Sequence, residues 1–262
     1  MPSSALQVAR TGLEAQDARM RVIANNLANV NTTGFKRDRA NFATLAYQDM
    51  RVAGERSSEQ TAYATGLNLG TGVAVQSTSQ IMTQGGLNTT SNALDLALDG
   101  DGYFQVELPD GTPAYTRAGN FSRSPDGQLV TSQGYALQPA ITIPEGAQAI
   151  TVGADGTVSA QIAGQAEPEE LGQIQIALFA NPAGLRALGD NLLSETAGSG
   201  PAQVGPAGAN GGGGIRQGML EASNVNVVEE LVDMIECQRA YEVNSKMISA
   251  VDEMLRNANQ TL

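Results

Sequence analysis

Residues 226–255, NVVEELVDMIECQRAYEVNSKMISAVDEML, contain neither Gly nor Pro and predict one long helix. Val227, Met234, Tyr241, Ile248 and Leu255 recur every seventh residue. Leu231 sits four after the first of them, and Val228, Ile235 and Val251 widen the stripe. At 1.5 Å per residue the helix is about 45 Å long, more than a compact domain hides, so the stripe needs a companion helix or a neighbouring subunit.

The other end of the chain offers that companion. Ser4 with Gln7 has the form of a capping box, and the pattern that follows is helical to about Val30. Leu6, Leu13, Met20 and Leu27 recur at seven, with Ile23 and Val30 between. Asn226 with Glu229 repeats the cap at the second helix. Residues 1–40 carry six basic and three acidic side chains, and residues 215–262 four basic and eight acidic, which favours pairing by about 0–1 kcal/mol per exposed pair. From pattern alone, both helices could equally pack on the middle of the chain. Asn25, Asn26, Asn29 and Asn31 crowd the end of the first helix, where Thr32, Thr33 and Gly34 stop it. They suit either a polar interface or ordinary capping.

Composition narrows the function. The 262-residue chain has a formal charge of −12 and a pI near 4.4, which argues against nucleic acid or an anionic membrane surface as partner. It holds no His and one cysteine, Cys237, so disulfides within the chain, imidazole or thiolate zinc sites and His-based triads are excluded. No run approaches the length of a membrane span, and the N-terminus lacks the pattern of a secretory signal. These signals alone point to the cytoplasm.

Between the helices, periodicity is weak from Phe35 to Gln84, and residues 51–72 read as an extended connector or long loop. Strand signals follow at 95–98, 103–108, 113–116, 120–123, 128–131, 136–143, 149–152, 157–162 and 174–179. Pro109-Asp110-Gly111, Pro125-Asp126-Gly127 and Ala154-Asp155-Gly156 are turns between them. This spacing predicts an antiparallel β domain. Residues 198–214, GSGPAQVGPAGANGGGG, read as a flexible return loop. The expected organisation is α+β: a coiled-coil domain of paired terminal helices (1–34 and 223–262), a connector (35–84), a central antiparallel β-rich domain (85–197) and a Gly-rich return (198–222).

No stretch carries catalytic chemistry. Asp99-Gly100-Asp101-Gly102 departs from the EF-hand template and reads as two tight turns. Cys237 has no basic cluster beside it and reads as a packing residue. Gly211–Gly214 lacks the Lys-Ser/Thr ending of a phosphate loop. Carboxylates able to act on cell-wall glycan define an alternative class, a secreted enzyme, but no pair stands out. No cofactor or metal is expected.

Residues 24–36, ANNLANVNTTGFK, resemble the N-terminal signature of bacterial flagellar rod and hook proteins. Three more stretches agree with that family: DLALDGDGYFQV at 95–106, LEASNVN at 220–226 and MIECQRAYEVNSK at 234–246. The likeness spans essentially the whole chain. QRAYEVNSK, the chain length and the connector resemble the distal rod type more than proximal rod or hook types. The resemblance implies a non-enzymatic structural subunit, exported without a cleaved signal into the basal body, which replaces the cytoplasmic expectation. It implies helical homopolymerisation into a stiff, torque-transmitting rod, with other rod and hook subunits and the surrounding basal-body rings as partners. The terminal helices would form the inner layer, and the connector would fill contacts between subunits. The residues so implied in assembly are Leu6, Leu13, Met20, Ile23, Asn25, Asn26, Leu27, Asn29, Asn31, Val227, Leu231, Met234, Ile235, Gln238, Arg239, Tyr241, Asn244, Ile248 and Leu255.

Overall fold

The computed structural model describes residues 2–56, 63–162 and 167–260. The chain divides into two compact units. The first comprises Met1–Leu27, Asp38–Ser79 and Asn226–Leu262, and the second Ala28–Arg37 and Gln80–Val225.

The first unit holds helices α1 (Pro2–Ala28) and α2 (Val227–Gln260). Asn226 caps α2: its Oδ1 accepts the Val228 N–H at 3.1 Å. Ser4 lies inside α1, which already runs from Pro2, so it is not the cap that the sequence suggested. The helices meet in antiparallel order along their length. A Cβ on Gly12 would lie 3.1 Å from Asn244 Nδ2. The Cys237 thiol lies 3.1 Å from the Gln16 carbonyl oxygen, Arg19 pairs with Asp233 at 2.9 Å, and Asn26 Nδ2 donates to Glu230 at 3.3 Å.

This arrangement corrects the expected fold class. The structure is α+β with a helix at each end and an unclosed β-sheet core, and the helices do not form a coiled-coil domain. A coiled-coil seam requires large apolar residues locked together at its a and d positions. Here the contacts include glycine, cysteine, amides and charged pairs, and the buried apolar side chains of the two helices are mostly small, with Ile23 the largest. Leu6, Leu13, Met20 and Leu27 are only half-buried, and Leu231, Ile235 and Tyr241 remain 44%, 50% and 44% exposed.

The described strands of the first unit form two pairs. β1 (Asp38–Thr44) pairs with β4 (Val73–Gln80), and β2 (Gln48–Arg51) pairs antiparallel with β3 (Leu67–Leu69). They occupy much of the stretch whose side-chain pattern indicates no regular element. The ribbon β2–β3 has a bulge between Asp49 and Arg51, and the Arg51 guanidinium lies 3.9 Å from the centre of the Tyr63 ring.

The second unit is built from sixteen described strands. In chain order they are β5 (Leu87–Thr89), β6 (Leu96–Asp99), β7 (Tyr103–Glu107), β8 (Pro113–Thr116), β9 (Ser122–Arg123), β10 (Leu129–Val130), β11 (Ala136–Gln138), β12 (Ala147–Val152), β13 (Thr157–Ile162), β14 (Glu169–Gln173), β15 (Gln175–Leu178), β16 (Arg186–Gly189), β17 (Leu192–Ser194), β18 (Gln203–Pro206), β19 (Gly214–Gln217) and β20 (Met219–Glu221). β7 is the hub of the main sheet. One edge pairs with β8, while the other is shared by β11 along residues 105–107 and β15 along residues 103–104, so the sheet forks instead of closing. Smaller pairings, β12–β13–β14, β6–β19 and β5–β20, complete the unit.

Alternation along the strands sorts their side chains between two cores. Phe104, Val106, Ile176 and Leu192 join the main cluster with Leu96, Leu98, Leu137 and Ile215. Tyr103, Tyr115, Ala177 and Leu193 form a second cluster on the opposite face. Phe104 meets Phe121 edge to face with ring centres 5.2 Å apart.

Four hairpin loops repeat one hydrogen-bond pattern. At residues 108–112, 124–128, 131–135 and 153–157, the first N–H donates to the fifth carbonyl, and the fourth N–H to the first carbonyl. The fourth residue is glycine each time, with φ between 78° and 91°, the left-handed position such a bulged loop requires. In two of them the Asp before that glycine also accepts from the following Thr: Asp110 from Thr112, and Asp155 from Thr157. Those bonds, the Thr hydroxyl first, hold both carboxyls below their ordinary range.

The Gly-rich stretch at 198–214 departs from the expected flexible loop. It contains β18, which pairs with β15 over four residues. Backbone hydrogen bonds alone suffice for that pairing, so it leaves little trace in side-chain pattern.

Two outcomes follow from the second unit. Phe104→Ala should lower the stability of the β unit by about 3–5 kcal/mol, measured by denaturant unfolding; a loss below about 1 kcal/mol would show that the cluster collapses around the gap. Asp155 contributes stability at pH above its ordinary carboxyl range and loses it as pH falls through its depressed value in the folded chain. Thr157→Val should therefore raise the Asp155 titration midpoint, observed by carboxyl NMR, and an unmoved midpoint would contradict the hydrogen-bond assignment.

Candidate assembly surface

α2 carries apolar side chains on several sides, interleaved with charged ones, and most of them are left uncovered within its own chain. Among its described residues the buried ones are Glu230, Cys237 and Val251, which lie at multiples of seven on one face. Val227, Val228, Leu231, Val232, Ile235, Val243, Met247 and Met254 are all exposed, Val228 at 69%. At 3.6 residues per turn they spread over the whole side of the helix away from α1. Glu229, Glu236, Arg239, Glu242 and Lys246 are exposed among them, and large apolar side chains exposed in this number on one helix mark a candidate interaction surface.

The residues expected to act in assembly fall into three groups. Ile23 and Asn26 are buried, while Leu6, Leu13, Met20, Leu27, Asn29, Met234, Asn244 and Ile248 are half-buried. Asn25, Asn31, Val227, Leu231, Ile235, Gln238, Arg239 and Tyr241 are exposed. Leu255 belongs to α2, and its side chain lies outside the described residues.

Asn26 acts inside the chain. Its amide oxygen accepts the Asp38 N–H at 2.9 Å, and its Nδ2 donates to the Asp38 carbonyl at 2.9 Å and to Glu230. It thereby holds the start of β1 to the end of α1 as a neighbouring strand would. Asn25 reaches the Asp38 carboxylate at 3.4 Å, and Asn29 accepts from the Thr32 hydroxyl at 3.1 Å. Burial pushes the Cys237 thiol up, opposed by the nearby Arg19. Its S–H faces the Gln16 carbonyl and side-chain oxygens, a packing role.

The β2–β3 ribbon adds a surface that sequence reasoning did not resolve into residues. Tyr47, Met50, Val52, Leu67 and Leu69 are exposed on and beside it. A short two-stranded ribbon with this many uncovered apolar side chains is marginal in water by itself. The available signal was the cluster of apolar residues inside an otherwise polar connector.

Among the described residues, no group of three or more His, Cys, Asp or Glu is placed to hold a metal ion. Asp99 accepts two hydrogen bonds from the Arg216 guanidinium, and Gly100 and Gly102 take positive φ angles of 120° and 137°, so that stretch serves as a turn.

Comparison with known proteins places the chain. Residues 6–36 match the family described as flagella basal body rod protein, residues 97–160 the flagellar hook protein FlgE/F/G D1 domain, and residues 216–261 the flagellar basal body rod FlgEFG protein C-terminal family. The flagellar basal-body rod protein FlgG of Buchnera aphidicola subsp. Schizaphis graminum is 51% identical over 256 residues, covering 97% of this chain and 98% of the relative. FlgG of Bacillus subtilis is 39% identical over 252 residues, covering 94% of each chain. The flagellar basal-body rod protein FlgF of Caulobacter vibrioides is 34% identical over 248 residues, covering 92% of this chain and 90% of the relative. With relatives this similar along nearly its full length, and an apolar surface that a single copy leaves open, the chain belongs to the flagellar basal-body rod/hook family and is one of its structural subunits.

Proposed function

We propose that the chain is a distal rod subunit that polymerises helically with copies of itself into the stiff shaft passing torque to the hook. The observation that carries this reading is the uncovered side of α2. Its apolar side chains cannot be buried by α1, so copies of the chain bury them. A repeated contact between unlike surfaces whose rotation does not close generates an open helical filament. Val227, Leu231, Met234, Ile235, Gln238, Arg239, Tyr241, Ile248 and Leu255 on α2 contribute to that contact, with Leu6, Leu13, Met20 and Leu27 on α1. The exposed β2–β3 ribbon inserts between subunits. Identity is higher to relatives named FlgG than to the one named FlgF, which favours the distal rod. Other rod and hook subunits adjoin the filament's ends, and basal-body rings surround it. The subunit is exported without a cleaved signal and spans the periplasm as part of the rod. It works by assembly, with no catalysis.

Ile235→Asp tests the reading at a residue whose exposure spares the fold. The variant should keep the circular dichroism and melting temperature of the parent. Its critical concentration for polymerisation should rise about 30-fold, as expected for an interface residue worth about 2 kcal/mol. Sedimentation and electron microscopy provide the readout. Filaments forming at the parent's concentration would sink the proposal.

A further inference from the structure

Glu221, at the end of β20, is fully buried. Its Oε1 accepts from Lys36 Nζ at 2.5 Å and from the Gly85 N–H at 2.9 Å, and its Oε2 from Arg117 Nη1 at 3.2 Å. Its backbone carbonyl accepts the Gly34 N–H at 2.8 Å. The partners are 185, 136 and 104 residues away along the chain for Lys36, Gly85 and Arg117. Three distant segments therefore converge on one carboxylate. They approach backbone to backbone: a Cβ on Gly85 would sit 1.9 Å from the Ala222 carbonyl oxygen, and one on Gly34 would sit 2.7 Å from the Ala118 nitrogen.

Lys36 and Arg117 are each 5% exposed. Their remaining bonds go to the carbonyls of Thr83 and Gly100, which carry no charge. Burial pulls the Lys36 ammonium below its ordinary value, and the hydrogen bond to Glu221 is the largest influence opposing that. The exposed Asp101 carboxylate helps only from the solvent side. Without Glu221, closing this junction buries two cations with no anion among them, which is strongly unfavourable. The same late segment supplies β19 and β20. These pair with β6 and β5 and bring Ile215 onto the main core.

We propose that residues 214–224 are a closing latch, with Glu221 as its bolt, and that the β unit stays open until they arrive. A chain delivered N-terminus first then remains unfolded through most of its β unit, and closes once residue 221 is available. The latch follows from the unit's own contacts and does not depend on the assembly reading.

Amide hydrogen exchange at β7 and β8 tests it, comparing the full chain with chains stopped after Gly212 and after Val225. The chain ending at Val225 should match the full chain, and the one ending at Gly212 should exchange faster by more than about tenfold, given the size of an uncompensated buried charge. In the full chain, Glu221→Gln should accelerate exchange by a similar factor, and adding Lys36→Met should recover part of the loss. The proposal is overturned if the chain ending at Gly212 is as protected as the full chain, or if the one ending at Val225 is not. It is overturned equally if Glu221→Gln leaves exchange unchanged, or if Lys36→Met gives no recovery.

Discussion

α2 carries large apolar side chains on more sides than one neighbour can cover. Val228, Leu231, Val232 and Ile235 crowd two successive turns while α1 occupies only the face marked by Glu230 and Cys237. Burial of apolar area contributes about 25 cal/mol per Å², so each of these exposed residues is a stabilising contact that a solitary chain does not make. The contact with α1 is of a different kind. Gly12, Gln16, Cys237 and Asn244 bring the backbones together and place amides and charged pairs where a solitary globular protein would place leucines. Small and polar residues supply the polar contacts between α1 and α2, and the larger Val228, Leu231, Val232 and Ile235 stay exposed in the single chain.

The β unit follows the opposite rule. Phe104, Leu137, Ile174 and Val158 are wholly enclosed, and its charged centre at Glu221 is satisfied within the unit. It has both a core and a buried polar junction of its own. A subunit made this way separates two demands. The β unit has an enclosed core whose stability does not need a partner, and on the proposed assembly the first unit would gain stability that depends on concentration.

Sequence revealed those features that are local. Apolar spacing marks both helices and the absence of Gly and Pro marks α2, Asn226 caps α2, and Asp-Gly turns anticipate three of the four bulged hairpins because only glycine fits the left-handed position there without strain. The fourth, Ser132-Gln133-Gly134, lacks the Pro or Asp that signals a turn. Spacing by seven at Leu6, Leu13, Met20 and Leu27 suggested a coiled-coil seam, because periodicity reports which residues share a face and not what lies opposite. The strand β18 was hidden since backbone pairing leaves little pattern in Gly and Pro. The junction at Glu221 was hidden by sequence separation: nothing near Lys36 announces a carboxylate 185 residues away. Asn26 stands out by type, but its pairing with the Asp38 backbone as a neighbouring strand would pair depends on where the chain turns after Gly34, which no local pattern carries.

The central claim is that copies of the chain cover the open side of α2, and solvent access at that surface measures it directly. The chain's one native cysteine, Cys237, is buried, so a single reporter thiol introduced by Leu231→Cys can be followed with a maleimide. The account predicts rapid labelling of the subunit and labelling slowed by more than about tenfold in purified filaments, as burial at an interface core requires. Equal labelling rates in subunit and filament would contradict it.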